Sequence, residues 1–256
     1  MKNHEKEQVM KNFSQNASYY VTNAIHAKGD DLQTIIEWLQ PNKTWNTLDI
    51  ATGGGHVAKA LSPHVQQVMA SDLTKEMLEA ASNFLRDREN IQYIIADAEN
   101  LPLLDESFDA VTCRIAAHHF PNPEKFINEV YRVLKPNGKF ILIDNIAPEE
   151  DHLATLMNTF EKLRDNSHVK ALKWSKWKSL LENIGLSVER NRIRKKQFIF
   201  NNWVNRTTDS DEQREEVEVY LLNGSNITKD YFEIQINNHH VESLKIDELM
   251  VLCTKN

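Results

Sequence analysis

The sequence predicts an α/β protein built on a parallel sheet, and three observations carry that expectation. Short apolar segments alternate with amphipathic helical ones between Trp45 and Asp144, the pattern of βαβ units. The first apolar segment, Thr47-Leu48-Asp49-Ile50, runs through Ala51-Thr52-Gly53-Gly54-Gly55 directly into a helical stretch. Three of only seven glycines are gathered there, which places backbone without side chains where close approach or a positive φ is needed. Finally, 256 residues suffice for one large core with a smaller appended part.

In chain order, residues 1–12 read as a solvated or helical leader, followed by Phe13, Ala17, Tyr19, Tyr20 and Ile25. A helix over residues 30–39 follows, with Asp30 as its N-cap and Pro41 stopping it. Residues 1–42 thus form an N-terminal helical lid, in which Tyr19 and Tyr20 either pack on the main domain or close over a ligand. Strands are predicted at 45–51, 65–71, 91–96, 108–113 and 139–144, and helices at 54–61, 75–85 and 123–134. Pro136-Asn137-Gly138 is the turn before the fifth strand. Residues 148–174 break the rhythm with a helix over 153–163 and are read as a helical substrate cap. A helix over 175–184 ended by Gly185, a strand at 186–194, a second helical stretch within 198–223 and a last strand at 248–254 complete the chain. The core therefore spans 43–147 and 175–256. Arg192, Arg194, Lys195 and Lys196 read as a solvated strand edge, since basic residues keep edges from pairing.

Composition narrows the function. Basic residues number 30 and acidic ones 37, a formal charge of −7, and a field of that sign disfavours nucleic acid as partner. Cys113 and Cys253 are the only cysteines and give neither a disulfide framework nor metal spacing. No apolar segment reaches the length of a membrane span and no signal peptide is visible. A cytoplasmic protein without membrane partners is expected. Its oligomeric state is not legible.

The chemistry is expected after the strands, since open sheets bind ligands at the carboxyl ends of their strands near the reversal of strand order. Asp49 sets a negative charge beside a helix N-terminus, a pairing suited to a ligand with a cationic group next to its polar core. Asp72, after the second strand, can accept two hydroxyl hydrogen bonds from a ribose. Asp97, after the third, can accept from an adenine amino group, with the Ala98 backbone beside the ring. Gly53, Gly55 and Ala58 also satisfy G-x-G-x-x-A, so a nicotinamide-dependent reductase stays open on that motif. Asp49 speaks against it, because a pyrophosphate would pass where the carboxylate stands.

Five blocks in order, Asp49-Ile50-Ala51-Thr52-Gly53-Gly54-Gly55, Ser71-Asp72-Leu73, Asp97-Ala98-Glu99-Asn100-Leu101-Pro102, Ser107-Phe108-Asp109-Ala110-Val111 and Arg132-Val133-Leu134-Lys135-Pro136-Asn137-Gly138, resemble the class I S-adenosylmethionine-dependent methyltransferases. The resemblance covers residues 48–144 and is nearest to the ubiquinone and menaquinone biosynthesis C-methyltransferases. It implies a Rossmann-like, seven-stranded sheet with helices on both faces and an antiparallel last strand. S-adenosylmethionine is the implied cofactor: Asp49, Ala51, Gly53, Gly54 and Gly55 at its methionine end, Asp72 at the ribose, Leu73 on the adenine face, Asp97 and Ala98 at the adenine edge. Two departures stand out. Ala51 replaces the first glycine of the motif, and Ala116-Ala117-His118-His119 stands where the quinone enzymes carry Gly-Leu-Arg-Asn.

The expected reaction is methyl transfer to a small-molecule acceptor by in-line displacement, in which positioning and exclusion of water do most of the work. His118 and His119 are the candidate bases should the acceptor lose a proton, or else residues that pack the loop. Arg114 either binds the carboxylate of the cofactor or an anionic substrate, or pairs with a surface acid. No metal is expected: His239 and His240 are adjacent on an extended segment and would point to opposite faces. The acceptor pocket is expected to draw on the leader and the insertions after the fifth and sixth strands. A nicotinamide reductase and a non-catalytic nucleoside-binding protein are the alternatives.

Overall fold

The computed structural model describes residues 2–22 and 29–256, those of 2–3 and 15–22 through their backbone alone. Helix α1 (Lys2–Thr22) precedes α2 (Asp30–Leu39). Strands β1 (Asn46–Ile50), β2 (Gln67–Asp72), β3 (Ile91–Ile95), β4 (Phe108–Arg114) and β5 (Leu134–Asn145) follow, with α3 (His56–Leu61), α4 (Lys75–Phe84) and α5 (Pro123–Val133) between them. Next come α6 (Asp151–Arg164), α7 (Trp174–Asn183), β6 (Leu186–Ile199), α8 (Phe200–Val204), α9 (Asp211–Leu222), α10 (Asn226–Tyr231), β7 (Gln235–Asn237) and β8 (His240–Lys255).

The main path of the sheet runs β3-β2-β1-β4-β5-β8-β6, with β7 beside β8 as a short eighth strand. Strands β1 to β5 are parallel, and β8 is antiparallel to both β5 and β6. Each central strand is buried on both faces and its side chains alternate between two cores. Phe140, Leu142, Leu249 and Val251 pack with Phe126, Val130 and Trp177 on one face. Ile141, Ile143, Met250 and Leu252 pack with Ile35, Leu39 and Leu61 on the other. Strand order reverses between β1 and β4, and the carboxyl ends of the strands there form a crevice.

Several expectations are corrected. Gly29 is the N-cap of α2, and Asp30 is its first residue, held by Arg194. Helix α3 starts at His56 rather than residue 54, because Gly53 and Gly55 adopt φ of 53° and 78°, outside the helical region. Leu134 already pairs with Phe108, and residues 135–138 loop out of the register before Lys139 pairs with Ala110. The last strand begins at His240, not residue 248, and β6 continues to Ile199. Sequence periodicity missed the first half of β8 because it carries Glu242, Ser243 and Lys245 between apolar residues instead of an unbroken apolar run.

That length matters for function. Asn145, the last residue of β5, pairs with Glu248, so residues 240–247 of β8 and 195–199 of β6 continue as a ribbon past the end of β5. The ribbon, α6, α8 and α9 enclose a third core of Phe160, Phe198, Trp203, Leu221, Phe232 and Leu244, separate from the two beside the sheet. The basic residues of β6 lie on the edge strand, yet three of the four in the cluster, Arg194, Lys195 and Lys196, are paired rather than solvated. Arg194 and Lys196 both reach the buried Glu248 of β8, and Lys195 reaches Asp247. His239 is not extended: with Asn238 it takes positive φ (66° and 48°) in the β7–β8 turn.

Candidate functional site

A cavity with about 1020 Å³ of empty space opens at the carboxyl ends of β1 to β4. Ala51, Thr52, Gly53 and Gly54 line it from the first turn, Asp72 and Leu73 from the second strand, Asp97 and Ala98 from the third, Arg114 from the fourth. Asp49 stands at its base, 1 % exposed, where Thr52 Oγ1 (2.6 Å) and Thr112 Oγ1 (2.8 Å) donate to its two oxygens. Burial pushes the carboxyl up to about 6, against the two hydroxyl donors, which work to keep it ionised. Among the described residues Asp49 makes no ion pair. An enclosed carboxylate of this kind is stabilised by a cationic ligand.

Asp72 Oδ2 accepts from the Gly53 amide (3.0 Å) and Oδ1 from the Thr74 amide (2.9 Å), so the second strand is tied to the glycine turn. Each oxygen keeps a further lone pair for a diol. Burial is again the larger influence and raises its pKa. Gly55 does not line the cavity. A Cβ there would lie 2.7 Å from Leu85 Cδ1, so its task is close packing of α3 on the α4 side at φ +78°. Ala51 takes φ +52° in place of the motif's glycine, a left-handed conformation that an L residue adopts under strain.

Beside Asp97 stands a residue that the sequence did not signal, Lys6. From α1 its Nζ bonds Asp97 and, at 2.8 Å, Glu99, while Asp97 Oδ1 accepts from the Glu99 amide. Glu99 in turn accepts from the backbone and side chain of Asn122. Val9 and Phe13 of α1 line the same cavity. Tyr19 and Tyr20 belong to the last turns of α1, and their side chains lie outside the described residues. Arg114 is bound by Asp31 of α2 through Nε and Nη2. Its acid is buried rather than on the surface, 2 % exposed, and the guanidinium still borders the cavity.

A second cavity of about 580 Å³ adjoins the first and shares Phe13, Ile115 and His119 with it. Its other walls are His118, Asn145, Arg164, Asp165, Lys196, Phe198, Arg206 and Thr207. These come from the end of β5, α6, and the β6 extension with the segment that follows it. Ile115 at the boundary has φ +54°, an outlier for a β-branched residue, with its amide held by the Ile143 carbonyl (2.7 Å). His118 and His119 are both buried. His118 Nδ1 contacts Asp144 Oδ1 at 2.6 Å, and His119 Nδ1 contacts the Ser167 carbonyl at 2.9 Å. Burial and the neighbouring His118 push His119 down to about 4. For His118 burial acts in the same direction, but the Asp144 carboxylate outweighs it and the pKa rises.

Against this geometry the relatives are informative. A family model described as a methyltransferase domain matches residues 48–142. An uncharacterized methyltransferase of Bacillus subtilis, YcgJ, is 36 % identical over 229 residues, covering 89 % of this chain and 90 % of that protein. This chain belongs to the class I S-adenosylmethionine-dependent methyltransferases. The crystal structure of YcgJ superposes with a TM-score of 0.85 at 34 % identity, covering 88 % of this chain and 97 % of that one. A Bacillus halodurans protein assigned to the methyltransferases superposes with a TM-score of 0.86 at 38 % identity, covering 89 % and 99 %. The ubiquinone/menaquinone C-methyltransferase UbiE of Rickettsia typhi is 38 % identical over 113 residues, 41 % of this chain and 46 % of that enzyme. The methyltransferase therefore uses S-adenosylmethionine, and neither the fold nor the relatives support a reductase or a binding-only protein. Among the described residues no group of three or more metal-ligating side chains converges, and no helix is long and apolar enough to cross a membrane.

Proposed function

We propose that this methyltransferase acts on a small molecule held in the 580 Å³ chamber, with S-adenosylmethionine in the larger cavity and the methyl group presented at their boundary. The observation that carries the reading is the shared wall of Phe13, Ile115 and His119. S-adenosylmethionine supplies an already activated methyl group on a sulfonium, so the chain's own residues need to bind, align and exclude water. In this assignment Asp49 faces the cationic methionine end with Ala51, Gly53 and Gly54 beside it, and Gly55 supports the turn from behind. Asp72 holds the ribose, Leu73 lies on the adenine face, and Asp97 with Ala98 borders its edge. Arg114, oriented by Asp31, remains within reach of a carboxylate.

Domain roles follow the same division. Residues 1–42 act as the lid, 148–174 as part of the acceptor cap, and 43–147 with 175–256 as the core, the ribbon beyond β5 included in the acceptor side. Calorimetric titration of the purified protein with S-adenosylmethionine, S-adenosylhomocysteine and reduced nicotinamide dinucleotides tests the cofactor assignment. Binding of the adenosyl ligands alone is expected. The acceptor side is tested by filling it: Thr207→Trp should abolish methyl transfer to any accepted small molecule while leaving adenosyl-ligand affinity within twofold, and unchanged transfer would remove the chamber from the reaction.

A further inference from the structure

Resting on that reading, we propose that His118 is the catalytic base and Asp144 its positioning residue, so that the acceptor's nucleophilic atom carries a proton that it gives up during transfer. The acceptor is then a hydroxyl compound, an N–H amine or an acidic C–H compound, rather than a thioether, tertiary amine or other nucleophile with nothing to lose. Geometry separates the two histidines. Asp144 accepts from the His118 backbone amide with Oδ2 (2.9 Å) and faces Nδ1 with Oδ1 (2.6 Å). A carboxylate accepts, so Nδ1 carries the hydrogen and the lone pair is left on Nε2. His118 lines the acceptor chamber but not the cofactor cavity, as a base that receives the acceptor's proton should. His119 borders both cavities, and its Nδ1 must likewise be the donor to the Ser167 carbonyl. Its depressed pKa keeps it neutral and makes it a poor proton acceptor.

The step balances. The acceptor atom forms its bond to the methyl carbon, the carbon–sulfur bond breaks with its electron pair on sulfur, and the acceptor's proton passes to His118 Nε2. Products are the methylated acceptor, a neutral thioether and an imidazolium. One positive charge leaves the sulfonium and one appears on His118, beside the Asp144 carboxylate that stabilises it. The charged and titratable groups around His118 come from several elements. Asp144 stands on β5, His119 is its neighbour, and Asp165 and His168 follow α6, which supplies Glu161 and Arg164. Lys196 and Arg206 complete the chamber. Glu161 and Asp165 reinforce Asp144, whereas His168 is held neutral by its own burial.

The test has two arms. In the first, the histidine rings of wild-type protein are titrated by NMR with S-adenosylmethionine and then with S-adenosylhomocysteine, His118 being identified by its loss in His118→Gln. The His118 pKa is expected to be lower by about one unit in the sulfonium complex, because a like charge lies near, and to fall in both complexes in Asp144→Asn. A His118 ring that does not titrate, or is indifferent to the ligand's charge, overturns the proposal. Failure of the adenosyl ligands to bind in calorimetry would instead sink the cofactor reading on which it rests. In the second arm, methyl transfer is measured on phenols, anilines and 1,3-diketones and on thioethers, tertiary amines and pyridines. Products only from the first set, a rate rising with pH through one ionisation, and a ~10²-fold or greater loss in His118→Gln are expected. Asp144→Asn should move that ionisation to lower pH and slow the plateau. Transfer to the second set, or wild-type rates in His118→Gln, overturns the proposal, and if no probe is methylated the NMR arm decides.

Discussion

A carboxylate enclosed as completely as that of Asp49 keeps its charge only when something offsets the lost water. With its pKa raised to about 6, the group is partly protonated in mildly acidic solution. A cationic ligand favours the ionised form and lowers that pKa. The sign is then fixed: affinity for S-adenosylmethionine should rise with pH through about 6 and level off above it, and binding near pH 6 should release a proton. Calorimetry in buffers of different ionisation enthalpy measures that proton, and proton-neutral binding would remove Asp49 from contact with the cation. Asp72→Ala should weaken S-adenosylmethionine by about 1.5–3 kcal/mol, the range for hydrogen bonds to charged groups; an unchanged dissociation constant would separate Asp72 from the ribose. Ala51, at φ +52°, gives a third residue-scale expectation. Ala51→Gly should stabilise the fold by up to about 1 kcal/mol, left-handed strain relieved less the added freedom of the unfolded glycine, and a lower melting temperature would contradict it.

At the scale of elements, α1 holds Lys6 in place against Asp97 and Glu99, and it packs on α4. Lys6→Ala should lower the melting temperature modestly, because it takes the cation from the buried Glu99 carboxylate (4 % exposed), which keeps its two Asn122 donors. It should speed S-adenosylhomocysteine release several-fold, a few tenths of a kcal/mol to about 1 kcal/mol off the barrier, measurable by stopped-flow displacement. Equal release rates would show that α1 does not close over the adenine end. This contact also marks a limit of what sequence shows. Lys6 and Asp97 are 91 residues apart, and nothing local to a polar leader announces such a partner. The five parallel strands were legible because each is a short, mainly apolar segment that alternates with an amphipathic helical one. The β6–β8 ribbon was not, since exposure on one face mixes polar residues into it. Asp144 shows an intermediate case. It was visible as the end of a strand, but only the pairing of Arg114 with Ile143 brings it beside the residues that follow β4.

On the scale of the whole molecule, the residues of the larger cavity sit on the sheet with its two flanking cores, while the smaller cavity borders the third core through Phe198. Cooperative units tend to follow such divisions. S-adenosylhomocysteine should therefore protect amides of β1, β2 and β4 from hydrogen exchange far more than those of α9 and α10. Uniform protection would mean that the cores unfold as one. That the glycine turn and the acids after β2 and β3 would meet at one cavity was readable from sequence, because each follows a parallel strand at its carboxyl end. The smaller cavity was not legible, since its walls come from residues 13 to 207 and no spacing encodes their meeting.

Lys6 bonds Asp97 at one cavity, and Asn12, six residues along the same helix, bonds Asp165 and Ser167 beside the other. Six residues of helix span about 9 Å, so a single helix closes on both cavities, and a displacement of α1 that broke both sets of contacts would open them together.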